Sequence, residues 1–111
     1  MRVLLDGCVP RQLAREIPAH EVRTAPQLGW GDLDDGPLLN AMSDGFDALI
    51  TVDKSLRHRQ NLSSRSFGVI ILRAKTNRLL DLLPLVPELR AVLDAIRPGE
   101  VREIGIIEDS K

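Results

Sequence analysis

DALITVDKSLRHRQN, residues 47–61, runs through an apolar, β-branched segment, meets Asp53 and then turns strongly basic with Lys54, Arg57, His58 and Arg59. Ala48–Val52 has the length and composition of a strand covered on both faces, the kind found in parallel sheets. The basic segment behind it is expected to form a short helix. A strand that ends on one acid and opens into cations needs something else at the same edge of the sheet to give that acid a purpose.

The rest of the chain supplies three more short apolar runs. Val3-Leu4-Leu5 ends at Asp6, and Pro10 then opens PRQLAREI, whose apolar residues recur at helical spacing as far as Pro18. Residues 21–25 (EVRTA) read as a second strand, followed by the turn-rich PQLGWGDLDDG. Pro37 is expected at a first helical position, leading LLNAM toward the helix-ending Ser43-Asp44-Gly45, with Asp35 in front as N-cap. Gly68–Leu72 forms a fourth strand. The longest helix is expected over residues 81–96, interrupted near its start by Pro84 and Pro87, with residues 100–107 as a last edge strand and 108–111 as a loose tail.

Strands alternating with helices predict an α/β fold: a three-layer Rossmann-type sandwich around a mostly parallel sheet of four to five strands. In the order 2-1-3-4-5 the switch point falls between strands 1 and 3, and open α/β sheets bind ligands at the carboxyl ends beside such a point. Asp6 closes strand 1 and Asp53 closes strand 3. Neighbouring strands lie ~5 Å apart, so the two carboxylates are expected to face one crevice. No repeat or linker interrupts residues 1–107, which read as one domain.

Composition removes several classes of function. The 111 residues are 43% hydrophobic and 28% charged, ordinary values for a globular chain and wrong for a disordered one. No apolar run approaches the ~20 residues of a membrane span, and MRVLLDGCVP meets an acid too early for a signal peptide, so a cytoplasmic protein without membrane contact is expected. The single Cys8 has no partner within the chain and reads as a small apolar residue in a reducing compartment. Trp30, Phe46 and Phe67 are the aromatic residues, too few for a base-stacking platform, and Trp30 is expected to fold back on the core.

The net charge of −1 conceals two blocks. Residues 32–53 hold Asp32, Asp34, Asp35, Asp44, Asp47 and Asp53 without a base, whereas residues 54–80 hold Lys54, Arg57, Arg59, Arg65, Arg73, Lys75 and Arg78 without an acid. Acids crowded at one strand edge raise one another's pKa unless a cation intervenes, and a hard divalent ion does this while leaving room for phosphate oxygens. The loops after strands 3 and 4 leave the same edge, so Lys54, Arg57, Arg59, Arg73, Lys75 and Arg78 are expected to hold phosphates. Carboxylates around an ion beside a basic rim suit the cleavage of a phosphodiester chain. His58 and Asn61 are further candidates, for proton transfer and for orienting a carboxylate or a water.

VLLDGCVP, EVRTAPQLGWGDLDDGPLL, ALITVDKSLRHRQNL and GVIILRAKTNRLLDLLPLVPEL together resemble the PIN-like domains of bacteria, often treated as toxin components of toxin–antitoxin pairs. The resemblance runs from about residue 2 to residue 98, and rests on LLD, TVD and NRLLDLLP in combination. It implies a metal-dependent ribonuclease acting on RNA with Mg²⁺ or Mn²⁺, with Asp6 and Asp53 matching the acids at two strand ends. The third acid of the pattern falls on Asp35, with Asp32 and Asp34 as neighbours. It also implies a cognate antitoxin and a homodimer, to which the stripe Leu82, Leu83, Val86, Leu89 and Leu93 could contribute if it is not core. Gly7 departs from the pattern, since many members carry Glu or another polar residue after the first acid. Two other readings stay open: a PIN-like module that binds nucleic acid or a partner without catalysis, and a phosphoacceptor domain, which shares the strand order and the acid after strand 3. The second of these lacks its acidic pair after strand 1.

Overall fold

The computed structural model describes residues 1–105. Its strands are β1 (Arg2–Leu5), β2 (Glu21–Thr24), β3 (Ala48–Thr51), β4 (Gly68–Arg73) and β5 (Val101–Gly105). They pair in parallel as one five-stranded sheet in the order β2-β1-β3-β4-β5, the α/β arrangement expected from the alternation of elements. The helices are α1 (Asp35–Met42), α2 (Leu56–Arg59), α3 (Leu79–Leu82) and α4 (Val86–Leu93). The tail expected at 108–111, and the last two residues of the strand expected at 100–107, lie outside the described residues.

The three layers follow from the period of two along each strand. Val3, Leu5, Ile50, Ile70 and Leu72 point to one face and pack with Leu13, Ile17 and the α3–α4 residues Leu82, Val86, Leu89 and Leu93. Leu4, Leu49, Val69 and Ile71 point to the other and pack with Leu38, Leu39, Met42 and Leu56 from α1 and α2, together with Phe46 and Phe67. Both faces of β1, β3 and β4 are therefore covered, which is why these strands read as unbroken apolar runs. At the edges β2 and β5 each bury one residue and alternate with charge. The helical stripe raised as a dimer surface is core at Leu82, Val86, Leu89 and Leu93, with Leu83 partly buried against it.

Several local expectations are corrected. PRQLAREI forms a 3-10 helix over Arg11–Glu16, because the seven residues between Pro10 and Pro18 leave little room for an α-helical ladder. Asp34, not Asp35, flanks α1. Asp35 is its first residue and Pro37 its third, a place proline tolerates because the first-turn N–H groups have no acceptor within the helix. The long helix at 81–96 is broken into α3, a 3-10 turn at Leu83–Leu85 and α4, with Pro84 and Pro87 each at the start of a new segment. Trp30 is partly buried and meets Phe46 edge-on with ring centroids 6.0 Å apart, as expected for a loop aromatic folded onto the core. Thr24 and Gln27 hold the turn before it by reciprocal bonds: the Thr24 N–H donates to Gln27 Oε1 at 2.8 Å, and the Gln27 N–H to Thr24 Oγ1 at 3.2 Å.

Candidate functional site

The acids sit at the carboxyl edge of β1 and β3, at the switch point of the sheet. The Asp6 N–H donates to the Ile50 carbonyl at 2.9 Å, carrying the ladder one residue past β1 and setting Asp6 beside Thr51. Thr51 is fully buried. Its hydroxyl donates to Asp6 Oδ2 at 2.8 Å and accepts the Asp53 N–H at 3.1 Å. One side chain thus ties the two strand-end acids together. Asp6 Oδ1 takes the Gly7 N–H at 2.8 Å, and Asp53 Oδ1 takes the Ser55 N–H at 3.0 Å, a local turn that leads into α2. Cys8 Sγ lies 3.7 Å from Asp6 Oδ2 and 3.6 Å from Thr51 Oγ1. Burial pushes its thiol up from the ordinary value, so it is a protonated neighbour of the acids rather than a thiolate.

The third acid reaches the site through Arg59. The Arg59 Nε lies 2.8 Å and its Nη2 2.7 Å from Asp35 Oδ2, and the same Nη2 lies 2.5 Å from Asp53 Oδ2. One guanidinium nitrogen is shared by carboxylates from the start of α1 and the end of β3. Its bond holds the Asp53 carboxyl below the usual carboxylate range, and the two acids in turn raise the guanidinium further above neutrality. Asp32 and Asp34 remain exposed to solvent outside this cluster.

Asp35 Oδ2 and Asp53 Oδ2, which already meet at one positive centre, are oxygen donors of the kind a hard divalent cation takes, and they are the residues that could hold one. The fit is for two carboxylates. Among the described residues no three Asp, Glu, His or Cys side chains come together as a metal cluster, and the Asp6 carboxylate is tied through the Thr51 hydroxyl to the Asp53 backbone, not to its carboxylate.

The basic residues divide into two sets. Arg57 and Arg73 grip opposite oxygens of Glu103 on β5, at 2.5 and 2.7 Å, and lower its carboxyl from the ordinary value. With Arg59 on Asp35 and Asp53, three of the six expected phosphate contacts are already paired with carboxylates. Lys54, Lys75 and Arg78 are exposed and have no ion-pair partner among the described residues. His58 is exposed on α2. Asn61 holds a local turn: its Oδ1 accepts both the N–H and the hydroxyl of Ser63, at 3.2 and 2.8 Å.

A cavity of about 710 Å³ opens beside Asp53, between the loops that follow β3 and β4. Val52, Leu72 and Ala74 form apolar parts of its wall, and Lys54, Ser55, Lys75 and Asn77 give it a polar rim. Asn77 Nδ2 donates to the Cys8 carbonyl at 3.1 Å, so the loop leaving β4 passes over the end of β3 and is pinned to the loop after β1. Asp6 and Asp35 stand outside this cavity.

Thr51, the strap residue Asn77 and Glu103, which takes up Arg57 and Arg73, are positions whose roles sequence reading missed. A hydroxyl inside the otherwise apolar ALITV was the one available signal for Thr51, since a buried hydroxyl needs a partner. Arg59 was recognised as a cation of the site, though not as the link between two acids. Together these features define an open α/β domain with an acidic, cation-bridged switch point. Searches against family models, curated proteins and solved structures find no match for the chain. Among the described residues no helix is long and apolar enough to cross a membrane.

Proposed function

We propose that the chain is a PIN-like domain that hydrolyses RNA phosphodiester bonds, using Mg²⁺ or Mn²⁺ held by Asp53 and Asp35 with Asp6 alongside. The observation that carries this reading is the convergence of Asp53 and Asp35 on a single cationic centre at the switch point of the sheet, with Asp6 tied through Thr51 to the Asp53 backbone. A divalent ion there supplies polarisation of a phosphoryl oxygen and neutralisation of its charge. The chain's own residues do the rest. Thr51 fixes the Asp6 carboxylate and the Asp53 backbone in one register. Lys54, Lys75 and Arg78 pair with no carboxylate among the described residues and are available to phosphates on either side of the cleaved bond. The cavity beside Asp53 gives the RNA chain a path along the loops after β3 and β4. In a toxin, a cognate antitoxin would cover this acidic edge, and the cytoplasm is the compartment where its RNA lies.

The test pairs binding with cleavage. Wild type is expected to bind Mn²⁺ in calorimetry and to cut single-stranded RNA, and Asp6→Asn/Asp53→Asn to lose both while still unfolding cooperatively. Unchanged cleavage in the double variant, or a wild type that takes up no Mn²⁺, overturns the reading. A second reading, a PIN-like module that binds RNA without cutting it, is favoured by one observation: Asp35 and Asp53 are already occupied by an ion pair with Arg59. It predicts salt-sensitive RNA binding that survives Asp53→Asn.

A further inference from the structure

Arg59 does not stand at the rim as a loose cation. It is the last residue of the one-turn helix α2, and its Nη2 lies between Asp35 Oδ2 and Asp53 Oδ2, at 2.7 and 2.5 Å. A Mg²⁺ ion bonds its oxygen ligands at about 2.0–2.1 Å. An ion bound to those same two oxygens would therefore overlap the nitrogen, and one must leave before the other can enter. Neither acid is sealed off: the side chains of Asp35 and Asp53 are 33% and 35% exposed and that of Arg59 is 46% exposed, so an exchange needs rotation of one long side chain and no unfolding. The charges favour the exchange once an ion is present. Two carboxylates and one guanidinium leave a net negative charge, whereas two carboxylates and a divalent ion are neutral.

We propose that Arg59 is a resident counter-ion that competes with divalent metal for Asp53 and Asp35, so that metal occupancy of the site and the Arg59 bridge exclude each other. The inference rests on the metal reading given above and describes how that site is controlled. Arg59 stabilises the empty pair against its own repulsion and lowers its affinity for free ions. The displaced guanidinium, a fork suited to phosphate as well as to carboxylate, then becomes a substrate contact. It serves as a phosphate ligand only in the loaded state.

A bridge closed about nine-tenths of the time weakens apparent metal affinity about tenfold. Calorimetric titration of Mn²⁺ into Arg59→Gln should accordingly give binding about tenfold tighter than in wild type, abolished in Arg59→Gln/Asp53→Asn. A second measurement separates displacement from simple charge repulsion. In wild type titrated with Mg²⁺, the Arg59 Nε–H resonance should move in step with the Asp53 and Asp35 amide signals, while that of Arg57, held by Glu103, stays put. Equal Mn²⁺ affinity in wild type and Arg59→Gln, with binding still lost in Asp53→Asn, overturns the competition and leaves the metal site standing. An Arg59 resonance that stays unmoved as Mg²⁺ binds overturns it as well. Absence of binding in both proteins overturns the metal reading and the competition with it.

Discussion

Thr51→Val isolates the hydroxyl that ties the Asp6 carboxylate to the Asp53 backbone. Valine keeps the shape and the burial of the side chain and removes only the hydroxyl, which donates to Asp6 Oδ2 at 2.8 Å and accepts the Asp53 N–H at 3.1 Å. A hydrogen bond to a charged group contributes about 1.5–3 kcal/mol, so the loss is expected near 2 kcal/mol. At about 5 °C per kcal/mol for a domain of this size, the melting temperature should fall by about 10 °C. Thr51→Ser is the control. It keeps both bonds and removes one buried methyl group, at a cost of about 1 kcal/mol. Urea and thermal denaturation followed by circular dichroism measure both variants, and Mn²⁺ calorimetry shows whether the valine variant alone loses affinity as Asp6 comes free. A valine variant as stable as wild type, or more stable than the serine variant, refutes the assignment of Thr51 as the tie between the two acids.

Two further predictions concern the frame around the site. Arg57 and then Arg73 depress the Glu103 carboxyl, so over the window below its ordinary value of 4.5 the unfolded chain binds more protons than the folded one. Stability from this pair is full above that value and is lost as pH falls through the depressed folded-state value. Glu103→Gln should therefore be less stable than wild type at pH 7, with the gap in urea midpoint closing at acid pH, and a gap that stays constant down to pH 2 would count against the bridge. Gly99 has φ +82°, and a Cβ there would come within 2.5 Å of the Ser63 carbonyl oxygen. Gly99→Ala should cost about 2–3 kcal/mol by chemical denaturation, and a change below about 0.5 kcal/mol would show that the turn before β5 can rearrange.

How much of this was legible in the sequence follows from the range of each interaction. Alternating apolar segments are local signals, and with the right-handed crossover rule they determined the α/β class and the parallel sheet; the order 2-1-3-4-5, with its switch point beside Asp6 and Asp53, was one of the common orders they allowed, and the structure has it. The continuous apolar runs at residues 3–5, 48–52 and 68–72 came from burial on both faces, a property each strand carries alone. Prolines 84 and 87 marked an interruption, but whether the helix bends or breaks depends on how each segment packs against the sheet. The charge blocks at 32–53 and 54–80 were visible as composition, and their pairing was not. Ion pairs such as Arg59 with Asp35, or Arg57 and Arg73 with Glu103, join residues 24, 46 and 30 positions apart, and no spacing rule connects them. The sequence by itself determined where the strands fall and which edge of the sheet collects Asp6 and Asp53. Only the tertiary structure decided which charges are spent on one another, because that choice is made by side chains meeting across elements after the backbone has closed.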